Sequence, residues 1–242
     1  MVTGSMMGPS RVAIRPGLQE LSVTTILLIN PNTSTQSTEM MLSVAGPLLP
    51  PGIALRGVTA MTGPVMIVNE AALDEASREV VRIGLVEGAR ADGVIVSAFG
   101  NPGAGALRAL LSVPVIGIGE AAILEAAATG SRFGIATTTP DLVRAIEAGV
   151  HKLGFQGQFT GVRVPDGDPL ALAADPPAQD LALSLAAIAC IEQDGADSVV
   201  IGGGPLSAAA ARLRQRFPDR IVEPVPAAIK QVLGQIAGKI GI

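Results

Sequence analysis

The sequence has no Trp and no Tyr, five Phe, one Cys and one His in 242 residues. So few aromatic side chains leave no platform for stacking bases. The lone Cys190 excludes an internal disulfide framework, and with the lone His151 it leaves no zinc cluster. Charge is scarce too. Charged residues make up 16% of the chain, the net charge is −4 and Lys and Arg form no cluster, which removes the electrostatic basis for holding nucleic acid or an anionic membrane. Mean hydropathy is high at +0.49. Even so, Gly, Pro or charge interrupts every apolar run well short of the ~20 residues that cross a bilayer. Met1 to Val23 hold Arg11, Arg15 and Pro16 without a sustained apolar core, so they read as a loose tail and not as a secretory signal. These absences point to a cytoplasmic, deeply cored chain whose partner is a small molecule, with no nucleic-acid or membrane partner.

What is present is an alternation. From Thr24 onward short β-branched runs alternate with Ala/Leu/Glu stretches of helical period, the mark of an α/β chain with parallel sheets. Strands are expected at Thr25–Ile29, Ile53–Thr59, Gly93–Ser97, Val113–Ile118, Phe133–Thr137, Phe159–Val164, Ser198–Ile201 and Ile221–Val225. The clearest helices are Leu73–Ala91, Ala121–Thr129, Asp141–Leu153, Ala178–Asp194 and Ser207–Phe217, with Asp141 and Ser207 as plausible caps. An internal repeat is also visible. ADGVIVSAFGNPGAGALRALLSVPVIGIGEAAI parallels ADSVVIGGGPLSAAAARLRQRFPDRIVEPVPAAI, and TTILLINPNTSTQST pairs with RFGIATTTPDLVRA. Two repeated α/β lobes follow, with a cleft at their seam. Ligands of open parallel sheets bind beyond the carboxyl ends of strands, so the loops Asn30–Ser34, Ala98–Gly103, Thr137–Pro140 and Gly202–Leu206 are expected to face one another across that cleft.

Several motifs have ordinary explanations. Gly117-Ile118-Gly119-Glu120-Ala121-Ala122 imitates a dinucleotide fingerprint, but Glu120 puts a carboxylate where pyrophosphate would sit, and a favourable first-turn charge accounts for it. Gly202-Gly203-Gly204-Pro205 lacks the Lys of a phosphate loop, so close backbone approach to a small uncharged or anionic ligand is the better reading. Cys190 lies among alanines and isoleucines as a small inert hydrophobe, and His151 suits a helix terminus. Other loops are richer than structure requires. Asn30, Asn32, Thr33 and Ser34 follow an apolar strand with more polar groups than one cap uses, and Thr137, Thr138 and Thr139 repeat the pattern, so Asn32, Thr33, Thr137 and Thr138 are expected to bind ligand.

INPNTST, the Gly63-Pro64 pair followed by Asp74 and Glu75, SAFGNPG, VPVIGIGEAA, RFGIATTTP and GADSVVIGGGPLS together resemble the aspartate/glutamate/hydantoin racemase superfamily, nearest its hydantoin and allantoin racemase branch. The resemblance runs from about Thr24 to Val232. It implies two pseudo-symmetric Rossmann-like lobes, each a parallel sheet flanked by helices, and a cofactor-independent, metal-free site in the cleft between them. It also implies two cysteines, one from each lobe, that exchange a proton on opposite faces of an acidic carbon. Here those positions are Ala98 and Gly203, neither of which ionises. Loss of a positioned acid or base costs ~10²–10⁴-fold in rate, so the usual two-thiol reaction is not assigned.

The binding apparatus survives. Backbone N–H groups from Ala98 through Phe99 to Gly100 and from Gly202 through Gly203 to Gly204, with the hydroxyls of Thr137 and Thr138, are expected to hold a carboxylate, imide or ureide and to stabilise enolate-like charge. Glu120 and Glu223 are the expected proton-transfer groups, Glu223 because hydantoin racemases tend to carry an acid after the last strand. Glu70 is a weaker candidate, more economically a surface charge, and Ser97 and Ser207 lack a visible base. The leading reading is a racemase-like isomerase acting on a small hydantoin, ureide or amino-acid-derived substrate. The alternatives are the same pocket running a decarboxylation, elimination or ring opening, and a non-catalytic binding homologue. The expected division is a tail over 1–23, a first lobe of 24–120 with 221–242, and a second lobe of 121–220. Homo-oligomerisation is expected from the relatives and from the apolar composition.

Overall fold

The computed structural model describes residues 23–128 and 130–240. Residues 1–22 of the expected tail lie outside it. The chain runs β1 (Thr24–Asn30), α1 (Thr35–Ala45), β2 (Ile53–Thr59), α2 (Glu70–Glu87), β3 (Gly93–Val96), α3 (Ala104–Leu110), β4 (Val115–Gly117) and α4 (Ile118–Ala127). It continues with β5 (Phe133–Ala136), α5 (Val143–Lys152), β6 (Phe159–Arg163), α6 (Pro169–Ala174), α7 (Pro176–Glu192), β7 (Ser198–Ile201), α8 (Ser207–Arg216), β8 (Ile221–Val222) and α9 (Pro224–Ile240). The strands form two parallel four-stranded sheets of identical order, β2-β1-β3-β4 and β6-β5-β7-β8. The two-lobe α/β architecture is therefore the observed one, and the repeated segments occupy matching places in it.

Strand sequences explain this layering. Along β1 the side chains alternate: Ile26 and Leu28 enter a core shared by both sheets, whereas Leu27 and Ile29 pack on the opposite face with α2 and α3 residues such as Val80 and Leu107. β5 and β7 do the same in the second sheet, where Phe133, Ile135 and Val200 reach the shared core and Val199 and Ile201 meet Leu183 and Cys190 of α7. A strand buried on both faces has no polar face, which is why these segments read as unbroken apolar runs. Each fully buried Ile or Leu contributes about 1.5–3 kcal/mol.

Helix starts follow local chemistry. Ser34 Oγ accepts from Ser37 N–H (3.1 Å) to cap α1, and Asn69 Oδ1 accepts from Ala72 N–H (2.9 Å) to cap α2, which therefore begins at Glu70 and not at Leu73. Neither expected cap is used. Asp141 lies within a 3₁₀ turn ahead of α5, and the Ser207 hydroxyl donates to the Gly204 carbonyl (2.7 Å) inside α8. The last strand stops at Val222 because Pro224, which has no N–H to give a ladder, opens α9. β8 pairs with β7, so Ile221 and Val222 belong to the second sheet, a correction to the placement of 221–242 wholly in the first lobe. Helix α9 then turns back onto α4, β3 and β4. No helix among the described residues is long and apolar enough to cross a membrane.

Candidate active site

In each sheet the chain order reverses beside the first strand. β1 stands between β2 and β3, and β5 between β6 and β7. Loops leaving β1 and β3 therefore splay apart, as do those leaving β5 and β7, and a crevice opens at the carboxyl ends. The two crevices face each other. Between them lies a cleft of about 620 Å³, its mouth included, lined by Asn32, Ser97 to Gly100, Thr137 to Thr139 and Gly202 to Leu206, with apolar walls from Met66, Ile67, Leu73, Leu142, Ala145 and Ile146. The floor is tight. A Cβ on Gly204 would sit 2.2 Å from the Ser97 carbonyl oxygen, so only glycine lets the β3 and β7 loops meet.

The polar groups of the cleft are mostly donors. Asn32 Oδ1 accepts from Asn30 Nδ2 (3.0 Å) and Ser34 N–H (2.9 Å), which fixes the amide and leaves its Nδ2 without a partner among the described residues. Thr137 Oγ1 donates to the Gly202 carbonyl (2.8 Å), so the 3.1 Å contact with Thr139 is donated by Thr139. Thr138 differs. Its hydroxyl is fully buried at the cleft wall and has no hydrogen-bond partner among the described residues, a state that costs about 1–3 kcal/mol unless something arrives to satisfy it. The N–H groups of Ala98, Phe99, Gly100, Gly203 and Gly204 are likewise unspent among the described residues, whereas Gly202 N–H, expected as a donor, goes to Ala136 O (2.8 Å). Among the described residues, none that lines the cleft carries an ionisable side chain.

A family model described as Asp/Glu/Hydantoin racemase matches residues 26–232. The chain belongs to that family. A hydantoin racemase of Rhizobium meliloti is 32% identical over 209 residues, covering 85% of this chain and 86% of that one. One from Paenarthrobacter aurescens is 29% identical over 209 residues, at 85% and 88% coverage. Allantoin racemase from Pseudomonas fluorescens superposes with a TM-score of 0.83 at 27% identity, covering 90% of this chain and 92% of that one. A racemase-like function at the coarse level follows from these matches.

Against this family background the expected residues divide. The structure brings Asn32, Ala98, Phe99, Gly100, Thr137, Thr138, Gly203 and Gly204 to one cleft. Thr33 is not among its lining residues: its N–H donates to Pro64 O (3.1 Å) and pins the loop that carries Met66 and Ile67. The two glutamates expected to move protons are corrected. Glu120 pairs with Arg108 (2.6 Å) in a neighbouring groove. Glu223 is buried at the end of β8 beside Arg214 (3.4 Å), where burial raises its pKa despite that partner, and it lines no part of the cleft. Glu70 is an exposed first-turn residue of α2, and Ser207 is buried in its bond to Gly204.

Cys190 packs in α7 against Gly134, and burial pushes its thiol up to about 11. His151 is exposed late in α5. Among the described residues no group of three or more His, Cys, Asp or Glu is placed to hold a metal ion. The glycines of the imitation fingerprint serve packing. A Cβ on Gly119 would lie 1.9 Å from the Phe99 carbonyl oxygen and one on Gly117 would lie 2.2 Å from Asn101 Oδ1. Asn101, in left-handed conformation (φ 51), accepts from Gly119 N–H (2.9 Å) and Glu120 N–H (3.3 Å), tying the Ala98–Gly100 loop to the start of α4. Sequence reasoning missed that role, although an Asn between Gly100 and Pro102 is a residue type suited to such a turn.

Proposed function

We propose that this racemase-family chain is a cofactor-independent enzyme that holds a small hydantoin, ureide or amino-acid-derived molecule in the cleft and stabilises negative charge at its acidic carbon. The observation that carries the reading is that residues with unspent neutral donors gather on one apolar cleft: the Thr138 hydroxyl, Asn32 Nδ2 and the N–H groups of 98–100 and 203–204. Donors aimed at developing charge in a water-poor site are worth about 10²–10³-fold in rate each. They suit an enolate, whose charge is spread over oxygens. With Ala98 and Gly203 at the thiol positions, water carries the proton in this reading, and turnover is slow accordingly. The protein is taken to act as a homo-oligomer in the cytoplasm; exposed Leu181 and Leu185, one turn apart on α7, offer apolar surface for a subunit contact.

The test is proton NMR in heavy water across hydantoins, allantoin, substituted malonates and acidic amino acids. Deuterium entering at the acidic carbon with inversion supports the racemase-like reading, and no exchange with any bound compound refutes it. A second reading, decarboxylation of a malonate, is favoured by the lack of any ionisable group among the described residues of the cleft wall. Loss of carbon dioxide leaves its electron pair in an enediolate that the same donors would hold; no base is required, and water supplies the proton that the carbon then takes. Malonate consumed in the same tubes would select it.

A further inference from the structure

Beside the cleft lies a groove of about 710 Å³, mouth included. Phe99, Gly100, Ala145 and Ile146 form part of both walls. Unlike the cleft, the groove is lined by charge, from Arg108, Glu120 and Lys152. Arg108 Nε donates to Val115 O (2.8 Å) and Nη2 to Glu120 (2.6 Å), which holds the guanidinium in place and leaves Nη1 without a partner among the described residues. Lys152, exposed in the last turn of α5, makes no ion pair or hydrogen bond among those residues either. Asn101, whose Oδ1 is occupied by α4 N–H groups, adds an unspent Nδ2. Two cations against one carboxylate leave the groove with an excess of positive charge and three unspent donors.

We propose that this groove is the subsite for a carboxylate-bearing substituent of the substrate whose head occupies the cleft; the inference rests on the cleft reading above. Gly100 marks the border that the two share: it is exposed and belongs to both walls, and the Leu73 side chain packs over it. Glu120 then acts as a positioning residue for Arg108, and Lys152 supplies the mobile cation.

The test is calorimetric titration of the full chain with two probes, a hydantoin bearing a propionate arm and its neutral butyl counterpart, at low and high salt. The wild type should bind the propionate probe more tightly. Lys152→Ala should weaken that probe about fivefold, as loss of one exposed-to-half-buried ion pair does, with Lys152→Arg restoring it and added salt eroding the difference. The butyl probe should respond to none of these. Equal affinity for the two probes, or an equal loss of both in Lys152→Ala, overturns the inference and leaves the cleft reading standing. Binding of neither probe overturns the cleft reading and the inference with it.

Discussion

Gly119→Ala probes the joint between the site loop and helix α4. The added Cβ would fall 1.9 Å from the Phe99 carbonyl oxygen and 2.8 Å from its carbon, both backbone atoms that no rotamer change can move. Overpacking of this kind costs about 1–3 kcal/mol. Separating the two segments also lengthens the 2.9 Å bond from Gly119 N–H to Asn101 Oδ1, a cap interaction worth about 1 kcal/mol. Alanine in a helix returns about 1 kcal/mol over glycine. The net is a loss of about 1–3 kcal/mol, or a Tm lower by about 3–10 °C for a chain of this size. The same shift moves the N–H groups of Phe99 and Gly100, so affinity for any cleft ligand should fall in parallel. Gly234→Ala is the control: exposed on α9 with nothing within 4 Å of a new Cβ, it should gain about 0.4–1 kcal/mol. Far-UV circular dichroism is the assay, since the chain has neither Trp nor Tyr to report unfolding by fluorescence. A Gly119→Ala Tm equal to the parent's, with ligand affinity unchanged, would refute the argument that this glycine exists to admit the Phe99 carbonyl.

Thr138→Val removes a buried hydroxyl that has no partner among the described residues and nearly preserves its shape. Thermal melting should show the free protein unchanged or stabilised by up to about 1 kcal/mol, while titration shows cleft-ligand affinity reduced about 3–10-fold, the worth of one hydrogen bond. Restoring thiols at both positions, Ala98→Cys with Gly203→Cys, should raise racemisation of a bound hydantoin by about 10²-fold or more, measured by polarimetry. At 203 a Cβ would meet only the Leu206 side chain, at 3.1 and 3.2 Å, which has to give by a few tenths of an ångström; an inactive but folded double variant would count against the mapping of the thiol positions. Glu79 is held below the usual carboxylate range, first by its hydrogen bonds from Arg82 and then by Met61 N–H, against the raising effect of burial. A carboxylate with a lowered folded pKa stabilises above its unfolded value and loses that contribution as pH falls through the folded one. Urea melts should therefore show Glu79→Gln less stable than wild type at neutral pH, with the gap closing in acid; a gap independent of pH would refute the linkage.

Much of the architecture was legible in the residues because both sheets are covered on both faces. ILLI of β1, GVIV of β3 and VVI of β7 are apolar throughout, so these strands stood out, and Ile53–Thr59 and Ser198–Ile201 are found with the bounds expected. The site loops were legible for a related reason. Polar and glycine-rich residues directly after an apolar strand have no core to enter, and eight of the expected binding residues do line the cleft. Glu120 and Glu223 misled because a lone acid near a strand end looks the same in sequence whether it faces a ligand or a cation. Their partners, Arg108 and Arg214, meet them only when the helices pack. Met66, Ile67 and Leu142 carried no signal at all, since an apolar wall of a cleft is written in the same residues as a core.

Local pattern thus determined the alternation of strand and helix and the internal repeat, and the motifs' resemblance to a known family gave the family and the thiol positions now held by Ala98 and Gly203. These depend on residue type and spacing, which the chain carries along its length. Tertiary structure decided what depends on distance between remote segments. It packed the β3 and β7 loops against each other, with the Ser97 carbonyl against Gly204, left the Thr138 hydroxyl buried beside the cleft without a partner among the described residues and drew both glutamates away into ion pairs. Hydrogen bonds and Coulomb attraction act over a few ångströms, so which donors stay unspent and which acids stay unpaired is settled only when the two sheets close on their common core.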